Sequence, residues 1–255
     1  MAKVKSMKTI GIIGCGFIGG ALKQWVETYN PSVKILVSDP PKGFNDDLSS
    51  TDVIFISIHI STEASGHQDL SVLKQIIKEL PDKPIFIRTT ILPGTSEMLS
   101  KETNHRVYFM PELLTERTAY ADFCSQPMIF TAESKLLQEI FVDKKFVEMT
   151  SFEAEVAKYA HNVFGAVKVT YFNGIYDYCQ KNNADYDRVL QGVLLSGYIN
   201  DMHARVPGPD GKLGYGGKCF PKDVNALTEM TKGYPLHELL KTIKPMNLIF
   251  RGADA

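Results

Sequence analysis

Short, almost wholly apolar runs alternate with helix-length amphipathic segments through the first 150 residues, and this alternation restricts the fold more than any other feature. The helical patterns cover 17–29 and 69–80. The strand-length runs are KTIGIIG (8–14), VKILVSD (33–39), DVIFISI (52–58), PIFIRTT (84–90), RVYFMPE (106–112) and PMIFTAE (127–133). Strands that are apolar along their whole length are typical of a parallel sheet covered by helices on both faces. The sequence therefore predicts an α/β fold with a doubly wound parallel sheet.

A glycine-rich turn, GCGFIG at 14–19, closes the first of these strands and opens the first helix. Asp39 ends the second strand, twenty residues after the last glycine of the turn. In a Rossmann-type domain such a turn lets a pyrophosphate lie on the helix N-terminus, while the acid hydrogen-bonds the ribose hydroxyls. We predict an NAD site, with NAD preferred to NADP because the Asp39 carboxylate would face the extra 2′-phosphate; a tight turn without a ligand is the alternative. The cofactor-binding residues predicted in this region are Gly14, Gly16, Phe17, Ile18, Gly19 and Asp39.

The sequence changes character at Ser151, where about thirty residues without proline predict one long helix. Ser151 is the predicted N-cap of this helix. Lys158 and Asn162 are four residues apart, so they share a face of the helix. Small residues surround this pair, which indicates that the face meets a polar group.

The change at residue 151 also divides the chain into two predicted domains. Residues 1–150 are predicted to form the NAD-binding Rossmann domain, and 151–255 a mainly helical domain with a long central helix. A further helix is predicted at 185–200.

Cys219 lies in the glycine-rich segment GYGGKCFPKD, at 214–223. Pro221 suits the first turn of a helix, so Cys219 is predicted at a helix N-terminus. The helix dipole and the lysines at 218 and 222 favour an anion there, and each of these effects lowers the pKa of a thiol. The segment therefore predicts a reactive cysteine; a structural cysteine in a turn is the alternative.

Bulk composition excludes several classes of partner. The 28 basic and 29 acidic residues leave a net charge of −1, which gives no electrostatic basis for binding nucleic acid or an anionic membrane. Glycines make the apolar N-terminal run TIGIIGCGFIGGAL a poor membrane-inserting helix. The four cysteines show no close pairing, and the six histidines show no metal-ligand spacing. We predict a cytoplasmic protein with reduced cysteines and no metal, nucleic-acid or membrane partner.

Five blocks of the sequence resemble, in the same order, those of the nucleotide-sugar 6-dehydrogenases, the UDP-glucose and GDP-mannose dehydrogenases. They are the GCGFIG turn, RTTILPGT (88–95), MPELLTE (110–116), EAEVAKYAHN (153–162) and GYGGKCFPKD (214–223). The resemblance implies NAD-dependent four-electron oxidation of the C6 alcohol of a nucleotide sugar to the carboxylate, with UDP-glucose to UDP-glucuronate as the favoured reaction. GDP-mannose and a UDP-N-acetyl-hexosamine are the alternative substrates. A truncated, non-catalytic NAD-binding module is the alternative from another functional class.

The resemblance also implies catalytic roles. Cys219 matches the nucleophile that forms a thiohemiacetal with the aldehyde intermediate and then a thioester. Lys158 and Asn162 match the pair that holds the C6 oxygen and stabilises its developing negative charge. Asp223 lies four residues after Cys219, where it can orient or deprotonate a water.

Further residues are implied in acid–base chemistry and in binding. Thr90 and Glu116 match residues with acid–base and water-positioning roles, and both are also assigned to the cofactor site. The glycines before Cys219 are interpreted as making room for the sugar. The substrate-binding residues that the resemblance implies are Glu112, Leu113, Leu114, Lys158, Asn162, Tyr215, Gly216 and Gly217. Arg205 is added as a contact to the sugar or to a carboxylate, although its spacing to Cys219 differs from that of the family's arginine.

The chain departs from the family pattern in three places. The family's C-terminal nucleotide-binding domain is expected to be absent, and MNLIFRG (246–252) lies where the connection to it would begin. Only twelve residues separate Asp39 from Asp52, fewer than is usual in the family. IHIS (58–61) stands where the family has proline-threonine-proline.

A homodimer is predicted to pack through the 151–181 helix. Small residues at 154, 157, 160 and 165 of this helix would allow a second helix to approach closely.

Overall fold

The computed structural model describes residues 7–63 and 65–252, which fall into two compact units. The first unit takes in the chain up to Ser61 together with Gln68–Lys158. The second unit consists of Thr62–His67 and the chain from Tyr159 onward. The boundary between the units falls inside one continuous helix, Ser151–Lys181.

A mostly parallel sheet forms the centre of the first unit. Its strands are β1 (Thr9–Ile13), β2 (Lys34–Asp39), β3 (Phe44–Asn45), β4 (Val53–Ile56), β5 (Ile85–Ile87) and β6 (Val107–Phe109). The strand order is β3-β2-β1-β4-β5-β6, and every neighbouring pair is parallel except β2 and β3. After β2 and β3 the chain returns to the other side of β1 at β4, which creates the switch point of a doubly wound sheet. The predicted α/β fold class is confirmed.

The remaining elements of the first unit surround this sheet. The helices are α1 (Phe17–Tyr29), α2 (Ser71–Glu79), α3 (Thr95–Thr103), α4 (Ala119–Ser125) and α5 (Ser134–Ile140). Two further strands, β7 (Met128–Phe130) and β8 (Phe146–Glu148), pair in parallel as a separate small sheet.

Successive residues of the central strands face two different hydrophobic clusters. Val53 and Phe55 of β4 belong to one cluster, whereas Ile54 and Ile56 belong to the other. All four side chains are 0 % exposed, because both faces of the strand are covered. Burial of an apolar side chain of this size contributes about 1.5–3 kcal/mol each. This double burial explains why the strands read as continuous apolar runs.

The long helix α6 (Ser151–Lys181) is capped by Thr150, which corrects the N-cap predicted at Ser151. The Thr150 hydroxyl accepts a hydrogen bond from the Glu153 N–H at 3.2 Å, and the Glu153 carboxylate accepts one from the Thr150 N–H at 2.7 Å. This reciprocal pair is a capping box. The Ser151 hydroxyl instead accepts from the Phe109 N–H at 3.2 Å, which ties the start of α6 to β6.

Glu155 of α6 caps a different helix, α3. Its carboxylate accepts hydrogen bonds from the Gly94 N–H at 2.6 Å, the Ser96 N–H at 2.9 Å and the Ser96 hydroxyl at 2.6 Å. Burial raises the pKa of the Glu155 carboxyl, and the bonds from Ser96 and Gly94 oppose that rise. A buried acid therefore satisfies the N-terminus of a neighbouring helix.

Helices dominate the second unit. Besides most of α6 they are α7 (Tyr186–Leu194), α8 (Phe220–Met230) and α9 (Pro235–Arg251). Asp185 caps α7 by accepting from the N–H groups of Asp187 and Arg188. The predicted helix at 185–200 ends earlier, at Leu194, since Gly197 just beyond it has a left-handed φ of 68°. Across the described ranges, no helix is long and apolar enough to cross a membrane.

Candidate active site

The three glycines of the GCGFIG turn meet three different environments. Gly14 has a φ of 81°, and a Cβ there would lie 2.7 Å from the Ser57 carbonyl oxygen. A Cβ at Gly19 would overlap the Gly14 carbonyl oxygen. A Cβ at Gly16, by contrast, would meet nothing within 4 Å. The first and third glycines therefore serve the tight turn and helix packing, and the second leaves open space of the kind a pyrophosphate needs.

A cavity of about 860 Å³ adjoins this turn. It is lined by Gly14, Asp39 and apolar side chains that include Leu48, Ile58 and Ile76. A cleft of this size with mostly apolar walls and a few polar groups is typical of a cofactor site. The lining therefore fits the adenosine half of a dinucleotide, with an apolar wall for the base and Asp39 for the ribose.

Asp39 is held against the glycine turn. One of its carboxylate oxygens accepts a hydrogen bond from the Cys15 N–H at 2.7 Å. The ammonium of Lys42 lies 3.7 Å from the same oxygen and donates to the Cys15 carbonyl at 2.5 Å. Lys42 was not singled out from the sequence, and its charge partly offsets that of Asp39 where the ribose would bind. Of the other residues predicted here, Phe17 is 37 % exposed and Ile18 is half-buried.

Glu112 and Lys158 form a buried ion pair within the first unit. The Lys158 ammonium donates to the Glu112 carboxylate at 2.9 Å and to the Glu112 carbonyl at 2.6 Å. The other carboxylate oxygen of Glu112 accepts from the Leu114 N–H at 2.6 Å. Because charges buried this deeply need partners, the pair fixes the loop at 110–114 and orients the ammonium.

Arg88 brings a second positive charge to this loop. Its guanidinium is buried, lies 5.3 Å from the centre of the Phe123 ring, and lines a cavity of about 30 Å³ with Glu112 and Leu113. Burial lowers the pKa of Arg88 to about 10, and the negative charge of Glu112 opposes this shift. The sequence offered no signal for Arg88 beyond its place at the start of the RTTILPGT block.

Thr90 and Glu116 occupy contrasting positions in the first unit. Thr90 is buried, and its carbonyl accepts from the Gln68 side-chain amide at 3.2 Å. The amide oxygen of Gln68 accepts in turn from the Leu92 N–H at 3.0 Å, which fixes the turn after β5. Glu116 is exposed at the start of a short 3-10 turn, Glu116–Thr118. Their assigned roles in acid–base chemistry stay predictions.

Asn162 and Asp223 meet inside the second unit. The Asn162 amide donates to the Asp223 carboxylate at 2.7 Å, and the Lys222 ammonium donates to its other oxygen at 2.5 Å. Asp223 is 0 % exposed and Asn162 is 6 % exposed. The fold therefore brings together two residues that lie 61 positions apart in the sequence, in two different blocks of the family resemblance.

Cys219 is the N-cap residue of α8, as its place before Pro221 predicted. It is exposed, and its carbonyl accepts from the Asp223 N–H at 3.0 Å in the first turn of the helix. The buried Asp223 carboxylate thus lies one helical turn from the cysteine. Among the described residues, no group of three or more His, Cys, Asp and Glu side chains could hold a metal ion.

The glycine-rich loop before Cys219 is packed against its own unit. Burial raises the pKa of Tyr215 to about 12, and its side chain belongs to a hydrophobic cluster that includes Val163 and Leu240. Gly217 has a φ of 77° and open space around it. Arg205 is exposed and pairs with Asp201 at 2.9 Å. Substrate binding by these residues stays a prediction.

The sequence is similar to one family of known enzymes. Residues 152–248 match the central domain of the UDP-glucose/GDP-mannose dehydrogenase family. A UDP-glucose 6-dehydrogenase of Bacillus subtilis is 31 % identical in an alignment 222 positions long that covers 78 % of this chain and 49 % of the relative. One from Rhizobium meliloti is 30 % identical in an alignment 254 positions long that covers 86 % of this chain and 56 % of the relative. The chain belongs to the UDP-glucose/GDP-mannose dehydrogenase family. The resemblance that the five sequence blocks indicated is confirmed.

Solved structures of nucleotide-sugar dehydrogenases share the fold. A UDP-glucose dehydrogenase from Pyrobaculum islandicum superposes with a TM-score of 0.79 at 21 % identity, over 98 % of this chain and 70 % of that one. A GDP-mannose dehydrogenase from Pseudomonas aeruginosa gives a TM-score of 0.64 at 21 % identity, over 94 % of this chain and 68 % of that one. The chain spans about half the length of the curated relatives that it matches.

Four of the six residues predicted to be catalytic lie in or beside two clusters, one of which also contains Glu112, predicted to bind substrate, whereas Thr90 and Glu116 belong to neither. Glu112 and Lys158 form one in the first unit, and Asn162 and Asp223 form the other in the second, beside the helix start that carries Cys219. Two supporting residues had not been singled out from the sequence: Lys42, which contacts Asp39 beside the glycine turn, and Arg88, which lines a cavity with Glu112. Both act through contacts between separate parts of the chain.

Proposed function

We propose that this chain carries the NAD-binding and catalytic part of a nucleotide-sugar 6-dehydrogenase, with UDP-glucose as the favoured substrate. The observation that carries the proposal is the buried Asn162–Asp223 pair one helical turn from Cys219. A cysteine at a helix start, beside a carboxylate and an amide donor, suits covalent oxidation of an aldehyde. A binding module has no need of this arrangement.

The hydrogen-bond inventory of Lys158 and Asn162 supports their role at the C6 oxygen. Glu112 accepts two protons of the Lys158 ammonium, which leaves a third to donate. Asp223 accepts one proton of the Asn162 amide, which likewise leaves one. Both side chains are held by buried carboxylates, so each keeps a fixed direction as negative charge develops on the oxygen.

The reaction then divides between the cofactor and the cysteine. Two NAD molecules in succession would each accept one hydride from C6. Loss of the first hydride together with the hydroxyl proton leaves the aldehyde. The Cys219 sulfur adds to the aldehyde carbon, and loss of the second hydride leaves a thioester. Water attacks this thioester, which releases the carboxylate and the thiol. We assign Asp223, whose carboxylate also accepts from Asn162 and Lys222, the role of orienting that water.

We also propose a homodimer and a cytoplasmic location. Phe164, Tyr171 and Tyr178 recur every seven residues on α6 and are 60–68 % exposed, so they form an apolar seam available to a second copy. Of the small residues predicted to face the partner, Ala154 and Gly165 are buried within their own chain. Four cysteines without disulfides suit a reducing compartment.

Assay of NADH formation against UDP-glucose, GDP-mannose and UDP-N-acetyl-hexosamines tests the activity. The expected result is two NADH for each UDP-glucose consumed, with the acid as product. Calorimetry run alongside measures NAD binding. NAD binding without NADH from any sugar nucleotide would contradict the dehydrogenase and favour the non-catalytic module.

A further inference from the structure

The C-terminal end of α9 lies against the glycine-rich loop that leads to Cys219. Asn247 is 1 % exposed, and its side-chain amide pairs twice with the backbone of Tyr215. The amide oxygen accepts from the Tyr215 N–H at 2.7 Å, and the amide nitrogen donates to the Tyr215 carbonyl at 2.9 Å. One side chain thus satisfies both polar groups of a buried peptide unit, four residues before the cysteine.

Arg251, one helical turn further on, donates hydrogen bonds to the same loop. Its guanidinium donates to the carbonyls of Leu213 and Gly214 at 3.3 Å each and to the Asp210 carboxylate at 2.5 Å. The side chain is only 7 % exposed. A planar fork of donors can serve several acceptors at once, whereas a lysine ammonium cannot cover the same surface.

The contacts of Asn247 and Arg251 explain why two positions of the loop are glycine. A Cβ at Gly214 would overlap the Asn247 amide oxygen, and a Cβ at Gly216 would overlap the Arg251 guanidinium. From α6, the Asn173 amide oxygen accepts from the Gly214 N–H at 2.8 Å. The backbone at 214–216 is therefore fixed by side chains from two helices, and its missing side chains make room for them.

We infer that Asn247 and Arg251 are positioning residues that fix the loop at 213–216 and thereby the direction in which Cys219 presents its thiol. They would act through the backbone, without touching the substrate. The inference rests on the proposed function for the role of Cys219 in catalysis. The positioning of the thiol depends only on Cys219 following the loop at 213–216. The reactivity of the thiol can therefore be measured independently of catalysis.

The test compares Arg251→Ala, Arg251→Lys and Gly216→Ala with Lys241→Ala, an exposed change on α9 whose side chain pairs with Glu238. Two quantities are measured: the rate of Cys219 alkylation by iodoacetamide, read by mass spectrometry, and kcat and KM for NADH formation. Arg251→Ala should lower kcat by about ten- to a hundredfold, with KM for NAD within about twofold, because misplacing a reacting group costs rate before it costs binding. Its alkylation rate should change by at least about fivefold in the same preparation, and Arg251→Lys should restore only part of both.

A double-mutant cycle shows whether the loop contact is responsible. Gly216→Ala displaces the guanidinium, so adding it to Arg251→Ala should change the alkylation rate little further. An alkylation rate within about twofold of wild type in Arg251→Ala, additive effects of the two changes, or full restoration by lysine would each overturn the inference. Should Arg251→Ala not fold, Arg251→Lys and Gly216→Ala decide the question. A wild-type chain that makes no NADH would contradict the proposed function. The alkylation rates would still show whether Asn247 and Arg251 position Cys219.

Discussion

Cys219 is the residue on which the proposed chemistry depends most directly. Cys219→Ala should lower net turnover by roughly a thousandfold or more, because the second oxidation then has no covalent intermediate. Cys219→Ser should be similarly slow, with an ester adduct detectable by mass spectrometry. NAD affinity should stay within about twofold, since the glycine turn belongs to the other unit.

Cys124→Ala is the matched control for this change, since Cys124 is half-buried in the first unit. It should keep most of the wild-type rate. A Cys219→Ala protein that still yields two NADH for each sugar would show that the sulfur takes no part in the reaction.

Asp39 and Lys42 set the expected choice between NAD and NADP. The wild-type chain should bind NAD at least about tenfold more tightly than NADP, because the 2′-phosphate would approach the Asp39 carboxylate. Lys42→Ala should increase this difference between the NAD and NADP affinities, since it removes the cation that lies 3.7 Å from that carboxylate. Asp39→Ala should narrow it. Calorimetric titration of each protein with both cofactors measures the difference, and equal affinities in the wild type would refute the role of Asp39.

Helix α3 offers a test of stability because a single buried acid caps it. Since burial raises the folded-state pKa of Glu155 above the ordinary value of 4.5, the folded protein holds a proton more tightly than the unfolded chain. The free energy of unfolding should therefore fall as pH rises from 4.5 through the raised pKa. Glu155→Gln should remove this slope, measured by urea unfolding at a series of pH values.

Glu153→Gln is the control, two residues away on the same helix. Hydrogen bonds from Thr150 lower the pKa of Glu153 below 4.5, so its stabilising effect is lost only as pH falls below that value. This variant should leave the slope above pH 4.5 unchanged. An unaltered slope in Glu155→Gln would mean that the acid titrates alike in folded and unfolded chains.

At the scale of elements, the sequence predicted best where burial is uniform. β1, β4 and β5 are covered on both faces, so their apolar runs identify them without knowledge of their neighbours. Helices α4 and α5 have only seven residues each, too few turns for a clear helical period. Helix α3 is as long as α2, but its sequence TSEMLSKET has only two large apolar residues, so it shows no apolar face.

Among site residues, local pattern identified the GCGFIG turn and the position of Cys219 at a helix start. It could not show that Asn247 bonds a backbone 32 residues away, or that Lys158 meets Glu112 across 46. Such contacts depend on how helices and strands pack in three dimensions. The local spacing of apolar residues carries no information about that packing. The interpretation of Gly216 as room for a sugar missed the guanidinium of its own chain.

The proposed dimer is a property of the whole molecule. Light scattering at micromolar concentration should show a dimer, and Phe164→Glu should give a monomer, because a charge placed in the apolar seam must be buried without a partner. Tyr234→Glu changes an aromatic side chain of the second unit that is equally exposed, at 67 %, and should leave the dimer intact. A wild-type monomer would rule out the seam as an interface.

The position of the boundary inside α6 also matters to anyone who divides this protein into fragments. A cut between residues 150 and 151, where the sequence predicts the domains to meet, would remove Glu155 and Lys158 from the first unit. The N-terminus of α3 would lose its cap, and Glu112 would lose the ammonium that its carboxylate and carbonyl bind. A fragment that ends after Lys158 keeps both Glu155 and Lys158, so it should refold and resist trypsin. The fragment that ends at residue 150 should do neither.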